Sequence, residues 1–269
     1  MNNKLLPESK LLAVALDHIP LGIMSGWENV QQTLELVVEG EPDLTIVNFG
    51  ILKHFASLLC KGTKPVLRLD GSPSYLVEDW RNAKEWDLLY TVDDAVRLGA
   101  YAVIVNVVVG GVTEMPSVRI ASRVASACLE RNIPIIVSAY IGSDVQEHDE
   151  KELAAFSARL SAELGADIIN LNFEGNLESI RYITSVCPSP VLLAGGAFKT
   201  NEYTLRRAAV AIDGGCEGIC FGRSIWQSGD PPRVMRALHS VIKNTSNLEE
   251  AIGSIATNPV KNTKSPICS

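Results

Sequence analysis

At 269 residues the chain has the length of one α/β barrel, for which ~250 residues is typical, and a second full domain is not expected. Hydrophobic residues make up 46% and charged residues 20%, a globular balance that excludes disorder as the default state. Twenty-four Lys and Arg against 31 Asp and Glu leave a formal charge of −7, so the mean surface field repels nucleic acid and anionic membrane, and any anionic ligand must be held by local groups.

The opening residues, Met1 to Glu8, turn polar too early for a signal peptide, and no apolar run reaches the ~18–20 residues of a membrane span. A cytoplasmic location is expected. Short runs rich in Val, Ile and Leu then recur in chain order at Leu11–Leu16, Leu44–Asn48, Val66–Leu69, Ala102–Val107, Ile133–Ser138, Asp167–Asn172, Val191–Ala194 and Gly218–Phe221. Helical patterns such as Asn29–Val38, Ser117–Glu130, Glu150–Leu164, Asn201–Ile212 and Pro232–Ile242 separate most of them. The strands are apolar without clean alternation, as expected where both faces are covered. Eight such units predict a single (β/α)8 TIM barrel over residues 1–256. A doubly wound sheet is disfavoured, because the first strand runs into Asp17-His18-Ile19-Pro20 and not into a GxGxxG turn.

Two segments stand apart. Ser72–Leu89, with Trp80 and Trp86, is long for a βα connection and reads either as a lid or interface, or as a surface helix with both tryptophans packed inward. Residues 257–269 are polar with two prolines and are expected to be a poorly ordered tail. The six cysteines form no CxxC pair and read as reduced, buried thiols, and the four histidines lack metal-ligand spacing, so no metal or cofactor is expected.

In such a barrel the site lies at the C-terminal ends of the strands. The polar residues there are Asp17 and His18 after the first strand, Asn48, Arg68 and Asp70, Asn106, Ser138 and Tyr140, Asn170, Asn172 and Glu174, Lys199, and Arg223. Gly195-Gly196 after the seventh strand and Gly222-Arg223 after the eighth suit a phosphate, since glycine lets backbone N–H groups approach it and cations stand nearby. Asp17 has the chemistry of a general base or hydroxyl binder, or of a loop anchor. His18 is open to catalysis or to plain packing, and Tyr140, two residues past Ser138 on the same face, can move a proton near the barrel axis. Arg68 is a candidate substrate-binding cation.

These motifs resemble the archaeal-type class I fructose-bisphosphate aldolases of the DeoC/LacD-like group. The resemblance covers most of the chain and rests on Ala15-Leu16-Asp17-His18, Thr91 to Ala100, Gly110-Gly111 with Glu114, Glu163 to Ile169, Ala194-Gly195-Gly196, and, most specifically, Gly222-Arg223-Ser224-Ile225-Trp226-Gln227. It implies a Schiff-base lysine on the sixth strand, a tyrosine on the fifth, an aspartate after the first, phosphate on the last two loops, and a homo-oligomeric ring or dimer of rings. Tyr140, Asp17, Gly195, Gly196, Gly222 and Arg223 fall on those positions. The lysine does not: where the family pattern reads Asp-Ile-Val-Lys, this chain reads Asp167-Ile168-Ile169-Asn170, with Asn172 as the next inward residue.

An amide forms no iminium. Three functions are therefore expected to compete. One is an aldolase-like lyase on a small phosphorylated ketose or deoxysugar, with Lys199 or non-covalent enolate stabilisation in place of the missing amine. The second is a non-covalent isomerase, epimerase or acid–base lyase, in which Tyr140 and Asp17 move protons while Asn170 and Asn172 bond the carbonyl oxygen. The third is a catalytically silent phosphosugar-binding barrel. Lys53 and Lys64 read as helical or as lying at the wrong end of the barrel.

Overall fold

The computed structural model describes residues 10–256, except 19–20, 77–80, 82, 144 and 146–147. The expected tail, 257–269, and Trp80 lie outside the described residues. The strands are β1 (Leu11–Ala15), β2 (Leu44–Val47), β3 (Lys64–Arg68), β4 (Asp70–Gly71), β5 (Asp87–Leu88), β6 (Ala102–Val109), β7 (Ile135–Ile141), β8 (Ile168–Leu171), β9 (Val191–Ala194) and β10 (Gly218–Phe221). The helices are α1 (Val30–Glu39), α2 (Phe49–Gly62), α3 (Val92–Arg97), α4 (Glu114–Arg131), α5 (Glu150–Glu163), α6 (Leu177–Val186), α7 (Asn201–Asp213), α8 (Arg223–Trp226), α9 (Pro231–Ile242) and α10 (Leu248–Ala256).

Eight parallel strands close in the order β1-β10-β9-β8-β7-β6-β3-β2, so the protein is a (β/α)8 barrel as its sequence predicts. β4 and β5 form a separate antiparallel pair. Helix starts follow local chemistry: Asn29, Asp149, Asn176, Thr200 and Asp230 each accept a backbone N–H of the first turn, and Thr91 with Asp94 completes a capping box.

The core has two shells, set by the period of two along each strand. Leu12 and Val14 point out against the helices, while Leu11 and Ala13 point in with Leu44, Ile46, Val66, Ile104, Ile136, Ile168 and Leu192. This inner apolar plug fills the lower barrel. Above it the same inward rows turn polar: Arg68 follows Val66, Asn106 follows Ile104, Ser138 and Tyr140 follow Ile136, and Asn170 follows Ile168. The register sets Asn106 beside Ser138, and Ser138 beside Asn170.

The segment after β3 includes a short antiparallel ribbon, and its residues 77–80 and 82 lie outside the described residues. Leu89 and Tyr90 both donate backbone N–H groups to Leu69 O, folding the chain back as the β4–β5 ribbon, and Trp86 packs inward. Of the cysteines, Cys128, Cys187, Cys216 and Cys220 are buried, whereas Cys60 is exposed on α2, contrary to the expected burial; Cys268 lies outside the described residues. No helix among the described residues is long and apolar enough to cross a membrane.

Candidate active site

A cavity of about 750 Å³ opens at the C-terminal ends of the barrel strands. Its walls bring together Asp17, His18, Arg68, Tyr140, Asn170, Asn172, Gly195, Gly196, Gly222 and Arg223. Of the residues expected to have a catalytic or substrate-binding role, Lys199 is the one that does not line it. Its ammonium sits outside, 3.1 Å from Glu174 Oε2 and 3.1 Å from Tyr203 O–H, with the side chain 47% exposed. Hydrogen bonds to Tyr203 and Glu174 push its pKa up, opposite to what an imine-forming amine requires. Lys64 lies at the start of β3, over the Tyr101 ring, and Lys53 lies on α2. No lysine lines the cavity among the described residues.

The floor is organised around Arg68. Its Nε and Nη2 reach Asp17 Oδ2 at 2.8 and 2.7 Å, Nη1 reaches Asp70 Oδ1 at 3.1 Å and Asn106 Oδ1 at 2.9 Å, and Nη2 reaches Ser138 Oγ at 3.5 Å. A guanidinium has five N–H donors, and here four hydrogen bonds and the ion pair with Asp17 engage most of that capacity. Arg68 therefore lines the cavity, where substrate binding was expected of it, as a hub whose donors are largely engaged by the protein. Asp70 also accepts Trp86 Nε1–H at 3.0 Å and the Asn106 backbone N–H at 2.7 Å on Oδ2. Burial pushes its carboxyl up, and Arg68 and these N–H groups oppose that. Surrounded by donors alone, Asp70 acts as a carboxylate acceptor.

Beside the hub, Asn170 donates Nδ2 to Ser138 Oγ at 3.1 Å, and its buried Oδ1 has no partner. One of the two Asn170 N–H groups is thus engaged by Ser138, and the unpartnered Oδ1 adds an acceptor to the donor capacity expected of it. Tyr140 is hydrogen-bonded to Asn172, and burial lifts its phenol pKa to about 12, with Arg68 pulling the other way. It is a proton donor at neutral pH.

His18 lies across the mouth from Tyr140, after β1. Its ring meets Trp226 edge-on at 5.8 Å, and Nδ1 stands 4.0 Å from Asp17 Oδ1. Burial lowers its pKa; Asp17 opposes this, and Arg223 and Arg68 reinforce it, so the imidazole is neutral at pH 7. A Cβ at Gly222 would fall 2.6 Å from His18 Cε1 and 2.7 Å from Ala15 O, so only glycine lets this turn pass beneath the ring. Gly196 adopts φ +68°, the left-handed conformation that turns the chain after β9. The adjoining Arg223 has a buried Nε without a partner. The cavity thus holds two glycine turns with a cation at one end, and a donor phenol, a neutral imidazole and an unfilled amide acceptor toward the middle.

Residues 11–228 match the model for DeoC/LacD family aldolases. The chain belongs to that family. Among curated relatives, it is 31% identical to an uncharacterized aldolase of Saccharolobus solfataricus, over 93% of this chain and 95% of the relative. It is 27% identical to 2-amino-3,7-dideoxy-D-threo-hept-6-ulosonate synthase 1 of Archaeoglobus fulgidus, over 93% of this chain and 92% of the relative. Among solved structures, an archaeal fructose-1,6-bisphosphate aldolase with its catalytic Lys covalently bound to the carbinolamine intermediate superposes with a TM-score of 0.76 at 25% identity, covering 87% of this chain and 94% of that one.

The protein is thus an enzyme of the class I aldolase superfamily, a lyase by kinship. One participant in this aldolase-family cavity was not among the polar strand-end residues named for the site: Trp86, whose indole N–H bonds Asp70. Asp70 and Ser138, which were named, share the inward parity of Arg68 and Tyr140 two positions away. Trp86 carries no such signal, because its place depends on the fold-back of the β4–β5 ribbon.

Proposed function

We propose that this aldolase-family enzyme cleaves or forms a carbon–carbon bond in a small phosphorylated ketose or deoxysugar without an imine. The observation that carries the reading is a cavity that no lysine lines among the described residues, with Asn170 at the inward position of β8.

The substrate phosphate lies against Gly195, Gly196 and Gly222, with the Arg223 guanidinium supplying charge-assisted bonds. A substrate hydroxyl donates to Asn170 Oδ1. In the cleavage direction, neutral His18 takes the proton of the hydroxyl on the carbon that becomes the aldehyde, and Asp17 beside it favours the imidazolium that forms. The C–C pair moves toward the substrate carbonyl, whose oxygen becomes an enolate held by the Tyr140 O–H. Return of that proton from the His18 imidazolium to the enolate carbon restores the neutral imidazole and completes the cleavage. The same His18–Tyr140 pair serves proton transfer alone, so an isomerase reading rests on the same groups.

The deciding experiment supplies phosphorylated ketoses and deoxysugars with and without borohydride, and follows aldehyde release and intact protein mass. Aldehyde release with unchanged mass is expected. Asn170→Lys then supplies a buried amine, whose pKa burial lowers, and should gain a trapped adduct at residue 170. A wild-type adduct on any lysine would overturn the proposal. Solvent exchange into substrate without cleavage would move the assignment to an isomerase or epimerase.

A further inference from the structure

A second cavity, of about 830 Å³, lies behind the active site between the β4–β5 ribbon and α4. It shares Gly71, Ser72, Trp86 and Leu89 with the main cavity, so a single layer of chain separates the two. Its cations are Lys84, on the segment leading into β5, and Arg119 and Arg123, one turn apart on α4.

Of the other helix-borne arginines, Arg97 pairs with Asp94, Arg131 with Asp93, Arg159 with Glu163 and Arg206 with Glu202, while Arg181 and Arg207 bond backbone carbonyls and Arg236 on α9 forms no ion pair among the described residues. Arg131 belongs to α4 itself. Lys84, Arg119 and Arg123 have neither an ion pair nor a side-chain hydrogen bond among the described residues. Glu85 and Asp87 also line the cavity and form no ion pair with them, which leaves a local charge of +1 in a chain whose total is −7. Two like charges four residues apart on a helix repel each other, and an anion between them removes that penalty.

We propose that this cavity is a binding site for a small free polyanion of the phosphate type, held by Arg119, Arg123 and Lys84 and seated against Trp86. The proposal is independent of the phosphate placed at Arg223. Trp86 forms part of the shared wall, and its indole N–H bonds Asp70, the carboxylate partner of Arg68, so a ligand here touches the support of the catalytic floor.

Inorganic pyrophosphate is the probe, titrated by calorimetry into Arg223→Ala protein so that the main cavity contributes least. One equivalent per chain is expected, with a change in tryptophan emission that Trp86→Phe removes while binding persists. Adding Arg119→Glu and Arg123→Glu should weaken binding by at least about tenfold, the scale of lost charge-assisted bonds. Both side chains are exposed, so the melting temperature should hold. Lys84→Glu, which leaves the helix untouched, should weaken binding as well. Pyrophosphate binding that is absent, or indifferent to all three reversals, would overturn the proposal. Loss of a second equivalent on Arg223→Ala, with this one retained, speaks only to the active-site phosphate.

Discussion

Asn170 gives one amide hydrogen to Ser138 Oγ at 3.1 Å and keeps a buried, unpartnered Oδ1. A buried acceptor without a donor costs about 1–3 kcal/mol in the free enzyme, and a substrate hydroxyl that fills it recovers part of that. Asn170→Ala should therefore lower kcat/KM by about tenfold, the scale of one hydrogen bond, while thermal stability holds or rises. Unchanged kcat/KM on a competent substrate would remove Asn170 from substrate binding.

Tyr140 presents a neutral phenol. Its folded-state pKa of about 12 lies above the ordinary 10, so it favours the folded state fully below pH 10, and that contribution is lost as pH rises from 10 toward 12. Tyr140→Phe should cut turnover by roughly a hundredfold, as for other general acids, and should flatten the alkaline loss of stability. A wild-type rate profile with a basic limb near neutrality would point to a different proton donor.

For His18 the sign is reversed. Its folded pKa is held below the ordinary 6.5, chiefly by burial, so its contribution is present above pH 6.5 and lost as pH falls through the lower folded value. Melting curves of wild type and His18→Asn should diverge only on the acid side. The acid limb of kcat/KM should lie below pH 6.5 and vanish in the variant, along with most of the activity. An acid limb that survives in His18→Asn would transfer the base role to Asp17.

Arg223 has a buried Nε that nothing in the chain satisfies. Arg223→Ala should weaken inorganic phosphate or substrate binding by tenfold or more, since a charge-assisted bond is worth about 1.5–3 kcal/mol, and should leave the melting temperature nearly unchanged. Loss of stability with intact affinity would make Arg223 a structural residue.

The barrel was legible because fully covered strands are written as apolar runs, and the inward rows because parity is rigid: residues 11, 13, 15 and 17 share one face, as do 66 and 68, or 168, 170 and 172. That rule places Asp17, Arg68, Tyr140, Asn170 and Asn172 in one cavity without any knowledge of the turns. It fails beyond the strand ends. Lys199 follows β9 by five residues, past the left-handed Gly196, where parity no longer applies, and it turns outward to Glu174. Engagement of donors is also invisible in sequence. That Arg68 faces the site can be read from Val66-Leu67-Arg68, but the acceptors that engage its N–H groups come from four other positions across three strands and a loop.

That engagement supports the last prediction. If Arg68 is a hub, its loss leaves the Asp17 and Asp70 carboxylates buried against each other, and removing one partner of a buried pair typically costs about 3–5 kcal/mol. Arg68→Met should therefore lower stability in urea denaturation by an amount of that order, far more than Arg223→Ala. Arg68→Lys should recover little, because an ammonium has three donors where four hydrogen bonds are made and cannot span Asp17, Asp70 and Asn106 together. Adding Asp17→Asn and Asp70→Asn to Arg68→Met removes the stranded charges and should restore much of the loss, a non-additivity that identifies the cluster as one unit. Should Arg68 instead bind substrate directly, Arg68→Met would fold with near-normal stability and lose affinity alone, and the triple variant would show no rescue.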